Sequence, residues 1–381
     1  MPRWMLSRRQ FGRLIGTGVG AALFAPKLTR SVVEARLPPG VPEDVLQLNS
    51  NENPYGPSAK AWEAMVQSQR WASRYPGHLE QHVLEAIARH HEVEPTCVLL
   101  GCGSGEILRI ADMAFLAPGT NLIVAEPTFE AVLIYAGVMR AESVKVPLTA
   151  DFRHDLPRMA AACNAQTGLV YICNPNNPTG TVVTREELAA FFARVPQSAT
   201  ILVDEAYYHF VENPGCASAC EWLTKLPNVI VVRTFSKVYG MAGMRLGYAI
   251  GSKDVIAKMR AHALTNNSNA AVLEAALASL ADAALIPQRR KLNNDTRRWL
   301  CNELEKDGYQ YIPSEGNFVM IALNGEAQPV IDAFRQRKIL VGRQFPSMKT
   351  WLRVSIGKPE EMDAFLTGLR AIAPAAVRKA A

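Results

Sequence analysis

The chain has 381 residues, of which 49% are hydrophobic and 20% are charged, a composition that excludes a disordered protein. Lysines and arginines outnumber acidic residues by 41 to 35, but four arginines lie in the first 25 residues, where no acidic residue occurs. Without them the balance is 37 against 35, which argues against a nucleic-acid partner.

The first 35 residues have the pattern of a targeting segment. Arg8 and Arg9 precede an apolar run over residues 14–25, which is too short and too rich in glycine for a membrane-spanning helix. This order is typical of a secretory signal, and the arginine pair is typical of the twin-arginine class. We predict export to the periplasm by the twin-arginine translocation machinery. A cytoplasmic chain, or one tethered to the membrane by an uncleaved signal, is the alternative.

Short apolar runs then alternate with amphipathic ones. Seven runs predict strands, and several are apolar throughout, as strands covered on both faces are. The predicted strands are 98–104, 121–129, 143–148, 168–175, 200–208, 229–236 and 245–252. The predicted helices are 79–91, 105–116, 130–140 and 185–195. This alternation predicts an α/β fold with a mostly parallel seven-stranded sheet wrapped by helices.

The pattern changes near residue 284, where a long charged helix is predicted to begin and to run to 307. The elements predicted after it are strands near 309–313, 317–323 and 350–356 and helices near 328–337 and 359–371. They predict a second, smaller α+β domain. The predicted divisions are a targeting segment (1–35), an N-terminal arm (36–60), a large domain (61–270) and a small C-terminal domain (271–381).

A glycine loop, GCGSGE, follows the first predicted strand of the sheet. Gly101, Gly103 and Gly105 let the backbone approach an anion, and Ser104 with the N–H groups of the next helix can bind phosphate. A dinucleotide or S-adenosylmethionine loop is an alternative, with Glu126 as the ribose ligand. The spacing is GxGxG rather than GxGxxG, so a methyltransferase is a distant alternative. A tight turn without a ligand is the simplest one.

Polar residues follow other strands at their carboxyl ends, where ligands bind in such sheets. Asp204 ends an apolar run, where an unpaired carboxylate is unfavourable. Lys237 ends another, where loss of solvation lowers the pKa of an amine and makes it nucleophilic. Asn177, Tyr207 and Arg245 lie near these strand ends. A lysine, a buried carboxylate, two hydrogen-bonding side chains and an anion-binding loop are the parts of a pyridoxal phosphate site.

Motifs spread over residues 45–373 resemble those of the fold-type I, class I and II aminotransferases, in particular the histidinol-phosphate aminotransferase branch. The matching stretches are LNSNENPYGPS (48–58), RYPG (74–77), GCGSGEIL (101–108), EPTFE (126–130), NPNNPTG (174–180), VDEAYYHF (203–210), TFSKVYGMAGMRLGY (234–248), GNFVMI (316–321) and WLRVSIG (351–357). The resemblance implies a transaminase that uses pyridoxal 5'-phosphate to move an amino group between an amino acid and a keto acid.

The resemblance also implies catalytic roles. Lys237 would hold the cofactor covalently and carry the α-proton, and Asp204 would keep the ring nitrogen protonated. Tyr207 and Asn177 would bind the phenolate oxygen of the ring. The other implied cofactor ligands are Ser104, Gly105, Glu106, Phe129 stacked on the ring, Ser236 and Arg245.

Further residues are implied to bind the substrate or a second subunit. Arg353 would clamp the substrate carboxylate in the bidentate way that a guanidinium allows, beside Asn177. Arg343 would bind a second anionic group, which favours glutamate as the amino donor. Tyr55 would reach the cofactor phosphate from a partner subunit, so the resemblance implies a homodimer. Gly105 departs from the family, whose loop usually carries an acidic residue there.

The predicted function is therefore an exported, pyridoxal-phosphate-dependent aminotransferase that uses glutamate and an acceptor that the sequence does not identify. A histidinol-phosphate transaminase ranks second, because its pathway operates in the cytosol. A decarboxylase or a C–S lyase could use the same cofactor site. No metal site is predicted, and His90 with His91 is expected to end a helix. Cys216 and Cys220 could pair after export, although spacing of four residues on a helix is poor disulfide geometry.

Overall fold

The structure, a computed structural model, describes residues 45–375. The predicted targeting segment, with Arg8 and Arg9, and the start of the predicted arm lie outside the described residues. The described part of the chain contains twelve strands, β1 (Leu46–Leu48), β2 (Val98–Gly101), β3 (Asn121–Glu126), β4 (Glu142–Pro147), β5 (Thr167–Cys173), β6 (Thr200–Asp204), β7 (Val229–Thr234), β8 (Gly247–Gly251), β9 (Tyr311–Ile312), β10 (Phe318–Ala322), β11 (Ile339–Val341) and β12 (Trp351–Ser355).

Eleven α-helices lie in the same described range. They are α1 (Ala59–Gln67), α2 (Gly77–His90), α3 (Ser104–Phe115), α4 (Ala131–Val138), α5 (Leu156–Ala162), α6 (Arg185–Phe192), α7 (Lys253–Arg260), α8 (Ala270–Leu280), α9 (Leu285–Lys306), α10 (Ala327–Gln336) and α11 (Pro359–Ile372). Local chemistry fixes several of their starts. At α6, for example, the Thr184 hydroxyl accepts from the Glu187 N–H while the Glu187 carboxylate accepts from the Thr184 N–H.

The central sheet has seven strands in the order β2-β8-β7-β6-β5-β3-β4. All of its pairs are parallel except the two made by β8, which runs antiparallel to β2 and β7. The seven strands are those predicted from the sequence, so the mostly parallel seven-stranded sheet is confirmed. The carboxyl ends of its parallel strands meet at one edge.

Both faces of this sheet are buried, which explains the strands' uniformly apolar composition. Ile201 and Val203 of β6 pack into the core on one face, whereas Leu202, between them, packs into the core on the other. Because neighbouring side chains of a strand point to opposite faces, each face has its own core. The helices cover both cores, with α8 packed against α1 and α2.

A smaller region is formed by the chain after α9 together with β1. It contains an antiparallel sheet in the order β12-β10-β9 and a parallel pair formed by β1 and β11. The pair joins Leu46–Leu48 to Ile339–Val341, although nearly 300 residues separate the strands. This places the segment after β1 beside the small sheet. The described residues 45–375 belong to one compact unit, and the domain boundaries predicted within them remain predictions.

All seven cysteines lie among the described residues and are free thiols. The disulfide considered between Cys216 and Cys220 is therefore not formed in this structure. Burial raises the pKa of Cys216 to about 12 and that of Cys220 to about 11. Within residues 45–375 no single helix is long and apolar enough to cross a membrane. Helices α8 and α9 meet that test only as a pair, and they are bent by 87° at their junction.

Candidate active site

A cavity of about 690 Å³ lies at the carboxyl ends of the central strands, between this sheet edge and the small region. Of the thirteen site residues predicted from the sequence, eleven line it. These are Ser104, Gly105, Phe129, Asn177, Asp204, Tyr207, Ser236, Lys237, Arg245, Arg343 and Arg353. Parallel strands deliver them there from distant parts of the chain, since each polar residue follows the end of its strand.

Asp204 is the last residue of β6 and is only 2% exposed. Its Oδ2 accepts a hydrogen bond from the Tyr171 hydroxyl at 2.9 Å, and its Oδ1 accepts one from the Ala206 N–H at 3.0 Å. Burial raises the pKa of Asp204 to about 6, although both hydrogen bonds oppose this rise. The carboxylate therefore lies at the floor of the cavity, supported by neutral donors and able to pair with a cationic ligand.

Lys237 follows β7 and reaches the cavity wall. Its Nζ faces the cavity, donates to the carbonyl oxygen of Ser50 at 3.0 Å and lies 5.6 Å from the centre of the Tyr207 ring. Burial, together with the positive charges of Arg353 and Arg245, lowers the pKa of Lys237 to about 8. An appreciable fraction of this amine is therefore neutral near pH 7, as nucleophilic attack on an aldehyde requires.

Two amides and a phenol form the cavity wall beside this amine. The Tyr207 hydroxyl accepts from Nδ2 of Asn51 at 3.1 Å and from Nδ2 of Asn177 at 3.4 Å. Burial raises the pKa of Tyr207, so its hydroxyl keeps its proton and can donate it to an oxygen in the cavity. Oδ1 of Asn177 accepts a hydrogen bond from Arg353, which connects these three side chains to the predicted substrate clamp.

An anion cradle forms where α3 begins. Ser104 and Gly105 supply the helix N-terminus, and Nη1 of Arg245 donates to the Ser236 hydroxyl at 3.4 Å. Gly103 has a φ of +79°, which strains any other residue, and a Cβ there would lie 2.2 Å from Nη2 of Arg245 and would displace this guanidinium. A Cβ on Gly105 would meet no atom within 4 Å, so the cradle is open. Backbone N–H groups, hydroxyls and a guanidinium suit a phosphate monoester.

Arg353 and Arg343 lie at the opposite side of the cavity and differ in their partners. Arg353 is 8% exposed and donates to Oδ1 of Asn177 at 2.6 Å and to the Asn49 carbonyl at 2.8 Å. Among residues 45–375 no carboxylate lies within ion-pair distance of it. Burial lowers the pKa of Arg353 to about 10. Arg343 is half-exposed and pairs with Glu130.

Residues 43–369 match the profile of the aminotransferase class I and II family. The chain belongs to this family. A histidinol-phosphate aminotransferase from Moorella thermoacetica is 36% identical over 333 residues, which cover 87% of this chain and 86% of the relative. The family assignment removes the methyltransferase alternative for the glycine loop.

Solved structures show the same fold. A protein assigned as a histidinol-phosphate aminotransferase, from Erwinia carotovora atroseptica, is 34% identical with a TM-score of 0.83, covering 86% of this chain and 95% of its own. A histidinol-phosphate aminotransferase from Sinorhizobium meliloti, solved in complex with pyridoxal-5'-phosphate, is 24% identical with a TM-score of 0.81, covering 86% and 90%. The protein is a pyridoxal-phosphate-dependent aminotransferase of fold type I that acts on amino acids.

Two predicted ligands lie outside the aminotransferase's cavity. Glu106 turns away from it, and its carboxylate accepts from the Cys102 N–H at 2.5 Å and from Nδ2 of Asn267 at 2.6 Å. The Glu106 side chain therefore binds the backbone of the glycine loop and Asn267, and its predicted contact with the cofactor stays a prediction. Tyr55 stacks on Arg289, 5.3 Å from its guanidinium carbon, so its predicted role in a partner's site stays a prediction.

Sequence reasoning missed three residues that shape the aminotransferase's site. Tyr171 lies in the apolar run LVYIC, and nothing in that run indicates that its hydroxyl binds Asp204. Asn51 belongs to the quoted LNSNENPYGPS motif, but its bond to Tyr207 depends on the pairing of β1 with β11. Phe345 packs against both cavity arginines, with the guanidinium carbon of Arg343 4.4 Å and that of Arg353 5.2 Å from its ring centre.

Proposed function

We propose that this aminotransferase transfers an amino group between histidinol phosphate and 2-oxoglutarate, the keto acid of glutamate. The relatives named as histidinol-phosphate aminotransferases support histidinol phosphate as the first candidate substrate. The sequence alone ranks it second, after an exported enzyme with an unidentified acceptor. The observation that carries the proposal is the buried guanidinium of Arg353, which faces the cavity with neutral partners. A buried cation without an anion is a strong site for a carboxylate or phosphate.

The cavity residues fit the cofactor of the family. When bound, pyridoxal phosphate supplies an aldehyde that accepts the amino group and a ring that withdraws the electron pair left on carbon. We assign the phosphate to Ser104, Gly105, Ser236 and Arg245, because these form the open cradle at the start of α3. We assign the ring nitrogen to Asp204, the one buried carboxylate at the cavity floor among the described residues.

The remaining groups position the ring and move the proton. Tyr207 and Asn177 line the cavity side by side and would donate hydrogen bonds to the ring oxygen, and Phe129, 38% exposed, offers an accessible ring for stacking. With the cofactor bound, Nζ of Lys237 would hold its aldehyde carbon covalently until the substrate amine replaced it there. The released amine of Lys237 would then accept the proton from the substrate's α-carbon, which its lowered pKa permits near neutral pH.

The two arginines account for both substrates. Arg353 binds the α-carboxylate of glutamate through two parallel hydrogen bonds. Arg343 is near enough to contribute to the lowered pKa of Arg353. In histidinol phosphate the phosphate is joined to the amine-bearing carbon through two additional atoms, so it extends past the carboxylate position. This longer reach makes Arg343 the second ligand of the phosphate.

Two further proposals concern assembly and location. We propose a homodimer in which Tyr55 of each subunit completes the cradle of the other. We also propose export by the twin-arginine route, on the evidence of Arg8, Arg9 and the short apolar run after them. Export favours a second candidate function, an aminotransferase that uses glutamate with a different, extracytoplasmic acceptor.

Half-reaction kinetics test the choice of substrate. The purified holoenzyme is mixed with glutamate, histidinol phosphate or histidinol, and the absorbance of the cofactor is followed. We expect fast reaction with the first two compounds. Histidinol lacks two charge-assisted hydrogen bonds, so its kcat/KM should be lower by roughly 100-fold. A holoenzyme that reacts with glutamate but ignores histidinol phosphate would refute the first function and leave the second.

A further inference from the structure

Two guanidinium groups flank one aromatic ring at the mouth of the cavity. The Phe345 ring centre lies 4.4 Å from Cζ of Arg343 and 5.2 Å from Cζ of Arg353. Phe345 is 3% exposed and is held in a small apolar cluster with Ile312 and Met348. A fixed ring that attracts two cations keeps them close together despite their mutual repulsion.

The outer arginine is paired across the cavity mouth. Arg343 follows β11 of the small region, and its Nη2 donates to Oε2 of Glu130, which lies directly before α4 beside the large sheet. Both residues line the cavity, and their side chains are 52% and 41% exposed. Nη1 of Arg343 also donates to the Gln344 carbonyl at 3.2 Å. The ion pair therefore occupies the position at which a second substrate anion would bind.

We propose that Glu130 is a specificity-determining residue that acts as an internal, displaceable anion for Arg343. It pairs with Arg343 when the bound substrate has no anion that reaches this arginine. It leaves when a distal carboxylate or phosphate arrives. This inference rests on the proposed function in that the substrates carry such a group.

Physical chemistry favours displacement over sharing. An exposed ion pair contributes little, because water and salt screen both charges, so little is lost when it opens. A substrate anchored at Arg353 presents its second anion to Arg343 at high effective concentration. The incoming anion and the Glu130 carboxylate repel each other, so the two cannot stay on one guanidinium without a penalty.

The exchange keeps Arg343 neutralised whether or not a ligand with a second anion is bound. Glu130 pairs with Arg343 while the site is empty or holds a ligand with a single anion. The distal carboxylate of glutamate, or the phosphate of histidinol phosphate, takes its place when it binds. Binding of dianionic ligands is weakened by this competition, which is the measurable consequence.

The test compares Glu130→Gln with Glu126→Gln in the holoenzyme. Glu126 is a matched control because it lies four residues earlier, is 42% exposed and pairs with Lys145 at 2.8 Å without lining the cavity. Calorimetry measures the binding of glutarate, an unreactive dicarboxylate, and of pentanoate, its monocarboxylate counterpart. In Glu130→Gln we expect the glutarate Kd to fall by about two- to fivefold at low salt. The pentanoate Kd should stay unchanged, and Glu126→Gln should alter neither.

Two further measurements sharpen the result. In an Arg343→Gln background, Glu130→Gln should no longer affect glutarate, and high salt should shrink the effect in the parent enzyme. A parallel fall in the KM for histidinol phosphate would show that a phosphate also displaces Glu130, whereas an unchanged KM would restrict displacement to distal carboxylates.

Equal glutarate affinity in the wild type and Glu130→Gln would overturn the proposal, as would an equal gain in Glu126→Gln. Failure of the proposed function is distinguishable from either result. An enzyme that does not turn over histidinol phosphate would refute that substrate, while the glutarate measurements need no turnover and would still decide the role of Glu130.

Discussion

Removing the Tyr171 hydroxyl tests how the aminotransferase keeps a carboxylate ionised in its interior. Burial raises the pKa of Asp204 from its ordinary value of 3.8 to about 6. The unfolded chain therefore loses this proton at lower pH than the folded apoenzyme, and stability falls as pH rises from about 4 to about 6. The Tyr171 hydroxyl, 2.9 Å from Oδ2, limits this loss because it stabilises the ionised form.

The expected effect of Tyr171→Phe follows from the strength of that bond. A hydrogen bond to a buried charge contributes about 2 to 3 kcal/mol, whereas one to a neutral acceptor contributes about 1 kcal/mol. The variant's Asp204 pKa should rise by about 0.7 to 1.5 pH units, so the fall in stability should continue to about pH 7 to 7.5. The deficit relative to wild type should be about 1 kcal/mol at pH 5 and about 2 to 3 kcal/mol at pH 8.5.

Urea unfolding of the apoenzyme at these two pH values measures the deficit. Tyr248→Phe is the matched control, because its buried hydroxyl lies 3.2 Å from Nε2 of His91, a neutral group. Burial lowers the pKa of His91 to about 3, so this control should lose the same free energy at both pH values. A deficit in Tyr171→Phe that is equally independent of pH would refute the reasoning.

Four other expected outcomes test the cofactor site, the substrate clamp and the targeting segment. Borohydride should fix the cofactor to the peptide that contains Lys237, and attachment to a different lysine would refute its assignment. Asp204→Asn should keep the cofactor bound yet nearly abolish transamination, since an amide cannot hold a pyridine nitrogen protonated; normal turnover would contradict that role. Arg353→Ala should weaken glutamate binding in the half-reaction by about 2 to 5 kcal/mol, and unchanged binding would place the clamp elsewhere. Replacing Arg8 and Arg9 together by lysine should stop export of the full-length chain, and a periplasmic product would exclude the twin-arginine route.

The fold was largely predictable because its central sheet is buried on both faces. Runs such as VIVV in β7 and ILV in β6 are apolar at every position, so strand type and order of appearance follow from composition. The strand order and the reversal of β8 depend on long-range packing, which local patterns do not contain. The pairing of β1 with β11 was missed for the same reason, since three residues carry too little pattern to predict a strand.

The convergence of candidate site residues could be predicted where each follows the end of a strand, because the sheet brings such ends together. Asp204 and Lys237, which line one cavity, are examples. The hydrogen-bond partners of a residue could not be predicted where the tertiary fold sets them. Glu106 belongs to the glycine loop, yet its carboxylate accepts a hydrogen bond from Asn267, some 160 residues later in the chain, and does not line the cavity. Likewise, nothing in the sequence near Arg343 indicates that Glu130 is its partner.

The pairing of β1 with β11 also constrains when the enzyme matures during synthesis. Ser50 and Asn51, which contact Lys237 and Tyr207, follow a strand whose neighbour is completed only at residue 341. During translation β1 therefore stays unpaired until β11 has been synthesised. The cavity is completed late in synthesis, so the cofactor binds to the full-length chain rather than to a partly synthesised domain. Any transport step that moves this enzyme with its cofactor aboard is consequently post-translational.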